Sequence, residues 1–200
     1  VAVALGGGAF NLPCPKVVKI NLTGELQPWV AAKDVILKVL DIFSTKGNVG
    51  TILEYGGPGV ASLTVPERAT ITNMGAECGV TTSVFPSDNE TLKFLKGQDR
   101  AGDWSELLAD DDAVYERVVD IDLSAIEPLA AAPHSPGNIK ALKDIAGIPV
   151  DQVAIGSCTN SSYVDLTTAA RILKGRTIHP NVSLVIAPGS RQVLTMLAKE

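Results

Sequence analysis

Cys158 is the residue whose setting offers the most chemistry. It stands where a short apolar run, Asp151-Gln-Val-Ala-Ile-Gly156, gives way to a polar turn and then to a helical pattern, and its neighbours are Ser157, Thr159, Asn160, Ser161 and Ser162. Hydroxyls and backbone N–H groups near the positive end of a helix dipole favour the thiolate. A thiolate so placed can be a nucleophile, a metal ligand or one corner of an iron–sulfur cluster, and the plainer alternative is a free structural cysteine. A cysteine phosphatase loop needs an Arg six residues on, where Val164 stands, and a papain-like site needs a supported histidine. His134 lies among prolines and His179 precedes Pro180, both without acidic or thiol neighbours at ligand spacing, so both read as surface loop residues. A ligand role for Cys158 therefore outweighs a nucleophilic one.

Asn73 and Glu77 form the second candidate. Four apart in a segment otherwise made of Ala, Thr, Ile, Met and Gly, they would share one helical face. A solvated edge accounts for such a pair equally well. As function, a carboxylate beside a metal site orients water or carries a proton, and an amide hydrogen-bonds to sulfur or oxygen ligands. The glycine clusters Gly6-Gly-Gly8 and Gly56-Gly-Pro-Gly59 match neither phosphate-binding pattern and read as tight turns.

The elements that must position these residues follow from hydrophobic periodicity. Lys16–Thr23 alternates Val18, Ile20 and Leu22 with polar residues, as a half-buried strand does, and Ala31–Phe43 carries an amphipathic stripe at Val35, Ile36, Val39, Leu40 and Phe43. Thr51–Tyr55 reads as a strand, and a helix is expected from Pro66 to about Ala76, stopping near Gly79. Val80–Phe85 reads as a strand, Asp88 as the cap of a helix through Leu95, Trp104–Leu108 as a helical turn, and Val119, Ile121 and Leu123 as a further strand. Prolines 128, 133 and 136 with Gly137 interrupt all periodicity, which places a boundary there. Beyond it come a strand at 151–156, a helix from Tyr163 to Leu173, a strand at 182–187 and a last helical segment. The fold class is α/β, layered, with buried and largely parallel strands.

The 200 residues are 46% hydrophobic and 20% charged, enough for a sizeable core and too apolar for a disordered chain. No apolar run is long enough to span a bilayer. A formal charge of -5 without a basic stripe makes nucleic acid an unfavoured partner. Three dispersed cysteines, Cys14, Cys78 and Cys158, argue against a disulfide scaffold, and the opening residues have none of the zones of a signal peptide, so the chain reads as cytoplasmic. It starts without Met at Val1 and stops at Glu200 inside a helical pattern, as a piece of a longer protein would.

Two long strings carry a resemblance. Ile155-Gly-Ser-Cys-Thr-Asn-Ser-Ser162 is similar to the segment of the aconitase family that supplies the first cysteine ligand of a [4Fe–4S] cluster, and the string from Ile71 to Asp88 resembles that family's other internal signature. Intervening stretches, among them Lys16–Gly24, Ala32–Leu37 and Glu54–Val60, match as well, so the resemblance covers nearly the whole chain. It implies layered α/β/α iron–sulfur domains in consecutive order: the tail of one at 1–15, a second at 16–128, a linker at 129–137, and the first part of a third at 138–200. It also implies that Cys158 ligates iron, that Ser157, Thr159 and Asn160 shape the ligand loop, and that Asn73 lies near the cluster. Glu77 would contact the water or hydroxide on the open iron.

The implied chemistry is dehydration and rehydration of a hydroxy polycarboxylate without net redox change. Asn73-Met-Gly-Ala-Glu77 and Thr81–Phe85 look more like the branch that interconverts citrate and isocitrate through cis-aconitate, with a tricarboxylate substrate, than the isopropylmalate or homoaconitate branches. A large subunit of one of those dehydratases is the alternative, and an RNA-binding regulator of the same fold is a more distant one. A cysteine pair, the substrate-binding arginines and a serine base are expected elsewhere in the parent enzyme. This chain by itself is expected to be inactive.

Overall fold

The computed structural model describes residues 2–9 and 11–199. Val1, Phe10 and Glu200 lie outside the described residues, and with them the outer limits of the ranges 1–15 and 138–200. In chain order the helices and strands of the first part are α1 (Ala2–Leu5), β1 (Lys16–Thr23), α2 (Ala32–Phe43), β2 (Thr51–Gly56), α3 (Val65–Asn73), β3 (Thr82–Val84), α4 (Asn89–Lys96) and β4 (Arg117–Asp122). The rest comprises β5 (Leu129–Ala131), β6 (Ile139–Ala141), β7 (Gln152–Gly156), α5 (Tyr163–Leu173), β8 (Ser183–Ala187) and α6 (Arg191–Leu197).

The alternating run at β1 buries Val18, Ile20 and Leu22 and turns Lys19, Asn21 and Thr23 to the opposite face. β1 lies in the middle of a parallel sheet of order β3-β2-β1-β4, with Lys16 opposite Thr51 on one side and Val18 opposite Arg117 on the other. Parallel neighbours need a crossover, and α2, α3 and α4 supply one between each successive pair of strands. The apolar stripe of α2 is fully buried at Val35, Ile36, Val39 and Leu40, in one cluster with Leu53, Tyr55 and Ile71. Tyr55 stacks on Phe85 with ring centroids 4.4 Å apart. A smaller parallel pair, β7 and β8, starts with Gln152 opposite Ser183 and is followed on each strand by a helix, α5 and α6.

Four segments differ from the periodicity. The helix expected to reach Ala76 ends at Asn73, and the backbone tightens into a 3-10 turn at Met74–Cys78, closed by Gly79 at φ 72°. The cause is tertiary. Asn48 donates its side-chain amide to the Cys78 carbonyl at 2.8 Å, and Gly75 packs so closely on the Ser83 hydroxyl that a Cβ there would displace it. The strand expected over 80–85 is only Thr82–Val84. Instead of a helical turn at 104–108, the 3-10 turn lies at Ala101–Asp103, and Leu107 exchanges backbone hydrogen bonds with Ser87. The proline-rich stretch carries the antiparallel β5–β6 pair, whose Leu129 and Ile139 pack on the main core. The buried carboxylate of Asp34 fixes that pair to α2, accepting from Leu129 N at 2.7 Å and from Ala31 N at 2.7 Å.

Candidate functional site

Cys158 and Asn73 meet in space. The Asn73 amide donates to Cys158 Sγ at 3.3 Å and to Thr159 Oγ1 at 3.0 Å, so the end of α3 touches the loop after β7 across 85 residues of chain. Ser157 adds an O–H donor at 3.7 Å from the sulfur, and Thr159 Oγ1 lies 3.9 Å from it. Hydrogen bonds from Asn73 first, then from Ser157 and Thr159, hold the thiol pKa below its ordinary value. The thiol is exposed and therefore accessible.

The loop that carries the thiol is braced from several sides. Ser157 sits at φ 70°, a left-handed conformation rare for a side-chain-bearing residue and held only where the surroundings demand it. Gly156, at φ 134°, lies so near the Ala187 carbonyl that a Cβ would collide with it. Gly189 approaches the buried Ser161 equally closely, and its N–H donates to the Ser161 carbonyl at 3.2 Å. Ser162 and Asp165 form a reciprocal capping box at the start of α5, so the loop is fixed at its exit too. Asn160 is half-buried within it. On the opposite side Thr70, only 7% exposed, donates its hydroxyl to the Thr159 carbonyl at 2.8 Å.

Cys158 opens onto a cleft of about 520 Å³ lined by Asn73, Thr72, Gly75, Ala76, Thr81, Thr82 and Ser83, among others. Its walls are small residues and hydroxyls, dimensions and chemistry suited to a compact polar ligand. Glu77 does not share one α-helix with Asn73, because α3 has already ended; it lies exposed on the 3-10 turn whose Gly75 and Ala76 line the cleft, and is not itself among the lining residues. A larger cavity of about 650 Å³ lies beside the ends of β2 and β3, and two of the carboxylates that line it are engaged: Glu54 by the Tyr115 hydroxyl at 2.6 Å and Asp88 by Arg68 at 2.7 Å. His134 and His179 are both exposed and do not line the cleft.

The donor set fits one corner of a cluster and no more. Among the described residues no three His, Cys, Asp or Glu side chains are grouped to hold a metal ion. Cys78 is fully buried, with burial first and the Glu77 charge second pushing its thiol up to about 11, the opposite of a ligand's tuning. Sequence reasoning passed over Thr70 and Gly189. The signal for Thr70 was its position three residues before Asn73, on the same face of α3. Gly189 could be read only as a turn residue, since its close approach to Ser161 is set by how β8 lies beside the loop.

Comparison with known proteins identifies the family. The family model that describes the aconitase family (aconitate hydratase) matches residues 1–146 and 138–200. The chain is 42% identical to 3-isopropylmalate dehydratase large subunit 2 of Archaeoglobus fulgidus, over 96% of the chain and 46% of that protein. It is 39% identical to the corresponding subunit of Rubrobacter xylanophilus, over 100% of the chain and 47% of that protein. A probable mitochondrial aconitate hydratase of Caenorhabditis elegans is 41% identical over 96% of the chain and 27% of that protein. The chain thus spans about half the length of the curated dehydratase subunits it matches.

Proposed function

Since the chain belongs to the aconitase family, we propose that it forms one wall of the active site of a hydro-lyase acting on a hydroxylated di- or tricarboxylate. The observation that carries this reading is the contact between Asn73 and Cys158, which joins the family's two signature segments at an exposed, acidified thiol. Cys158 would hold one iron of a [4Fe–4S] cluster, with Ser157, Thr159 and Asn160 shaping the loop around it. When bound, the cluster supplies a Lewis-acidic iron that polarises a substrate hydroxyl. Asn73 lowers the pKa of the sulfur by its hydrogen bond and fixes its direction. Glu77, on the turn at the edge of the cleft, is the residue proposed to hold or pass a proton at its carboxylate. The hydroxyls of Thr72, Thr81, Thr82 and Ser83 orient polar groups of the substrate within the cleft.

For the substrate, the relatives support the isopropylmalate alternative better than the citrate reading, because dehydratase large subunits lead the matches. A large subunit by name has a second subunit beside it, and this chain is proposed to act with such a partner and with the remainder of its own polypeptide. The citrate–isocitrate reaction stands as a second reading, favoured by the 41% identity to the nematode aconitate hydratase. Assaying the full-length protein anaerobically, with any partner subunit, on 3-isopropylmalate and on citrate distinguishes them. We expect kcat/KM to favour isopropylmalate by about 100-fold, the scale on which an apolar pocket discriminates. The reverse preference establishes the second reading, and turnover of neither acid overturns both.

A further inference from the structure

Resting on that reading, we propose that Thr70 is a positioning residue for Cys158, clamping the loop that carries the thiol against α3. A threonine inside a helix ordinarily returns its hydroxyl to a carbonyl of its own preceding turn. Thr72, Thr167 and Thr195 do so, to Ala69, Tyr163 and Arg191 at 3.2, 2.9 and 2.8 Å. Thr70 does not follow them: its hydroxyl crosses to the Thr159 carbonyl, 89 residues along the chain, at 2.8 Å, in a buried setting.

The bond falls on the residue next to the thiol. Three positions further along α3, Asn73 takes the side chain of the same Thr159 and the sulfur of Cys158. One helical turn therefore grips residue 159 at both its carbonyl and its hydroxyl, which fixes the peptide plane between Thr159 and Asn160 as well as the side chains around the thiol. The two grips differ in kind. Asn73 is exposed and touches sulfur, whereas Thr70 is buried and acts only through the backbone. The left-handed Ser157 immediately before the thiol needs such external restraint to persist. Without the Thr70 hydroxyl the Thr159 carbonyl loses its partner in a part-buried contact, and the loop gains a reason to move.

The test uses the full-length enzyme, with any partner subunit, as wild type, Thr70→Val and Thr70→Ser. Amide hydrogen exchange across residues 157–161 is measured without cluster. Iron loss to a chelator, the electron paramagnetic resonance of the cluster after one-electron reduction with dithionite, kcat and KM are measured after anaerobic loading. In Thr70→Val we expect exchange in the loop to rise about tenfold, the order of one lost hydrogen bond, with exchange in β1 and β2 unchanged. Iron loss should quicken several-fold, the resonance should shift or broaden, and kcat should fall with KM little changed. Thr70→Ser should restore every readout, and Thr70→Ala repeats the comparison where Val is not accommodated. Wild-type behaviour of Thr70→Val in exchange and iron loss, or failure of Thr70→Ser to restore them, overturns the assignment while the hydro-lyase reading stands. A wild-type protein that takes up no cluster overturns that reading, and the role of Thr70 toward a ligand with it.

Discussion

At Cys158 the chemistry is made by neighbours far away in sequence. The sulfur is exposed, so its lowered pKa owes little to the protein interior and most to the Asn73 amide, followed by the hydroxyls of Ser157 and Thr159. Hydrogen bonds to the charged form favour it, and removing the strongest donor reverses the effect. In Asn73→Ala the thiol pKa should therefore rise toward that of an ordinary cysteine. Alkylation of the cluster-free protein, followed by mass spectrometry across a pH series, should show the reactivity midpoint of Cys158 displaced upward and the rate at neutral pH reduced. A pH profile identical to wild type would mean that the amide does not hold the thiolate. Cys78 provides the internal contrast, since its buried thiol, held near 11, should stay unlabelled in both proteins until they unfold.

At the scale of elements, α3 is the organising piece, and an ion pair between buried Arg68 and half-buried Asp88 sets its position. Arg68 is 4% exposed and donates to the carbonyls of Leu63, Val60 and Pro86 and to both carboxylate oxygens of Asp88. Asp88 in turn caps α4 through the N–H groups of Glu90 and Thr91. One guanidinium thus ties the turn after β2, the start of α3 and the start of α4. Burial alone would push the Asp88 carboxyl up, but the hydrogen bonds and charge of Arg68, with the two backbone donors, carry it below its ordinary value. A carboxylate with a depressed folded pKa contributes stability that is complete above its unfolded value of 3.8 and is lost as pH falls through the folded one. Arg68→Met, which removes the guanidinium from a partly exposed carboxylate that keeps its two backbone donors, should cost about 1 to 3 kcal/mol at neutral pH. Asp88→Asn should cost about 1 to 2 kcal/mol there, and its deficit should shrink as the pH drops below 3.8, where wild type loses the same interaction. Urea unfolding at neutral and acidic pH checks both, and a deficit independent of pH would show that the pair is not coupled to protonation.

Across the whole molecule, a four-stranded unit presents α3 to a second unit that presents the thiol; Thr70 and Asn73 hold the loop at Cys158 and Thr159, and Gln192 of α6 donates to Gln98 after α4 at 3.4 Å. One thiolate cannot fix a cubane of iron and sulfide, and Cys78 is sealed in the core. This chain alone, after anaerobic reconstitution, should therefore fail to show one cluster per chain by absorbance and by iron and sulfide analysis; a stoichiometric cluster would contradict the single-corner role of Cys158. What the sequence determines by itself is what local patterns encode. The face of β1, the stripe of α2, the Asp88 cap and the polar setting of Cys158 all follow from spacing, because periodicity reports which side of an element is buried. The long strings around Asn73 and Cys158 also sufficed to indicate the family. Only the tertiary structure decided that α3 stops at Asn73, that a proline-rich stretch docks on α2 through Asp34, and that Thr70 reaches Thr159. Each of these is a contact between segments distant in the chain. A hydroxyl or carboxylate free to bond within its own helix is diverted only when another element brings it a better-placed partner, and no local pattern records which element that is.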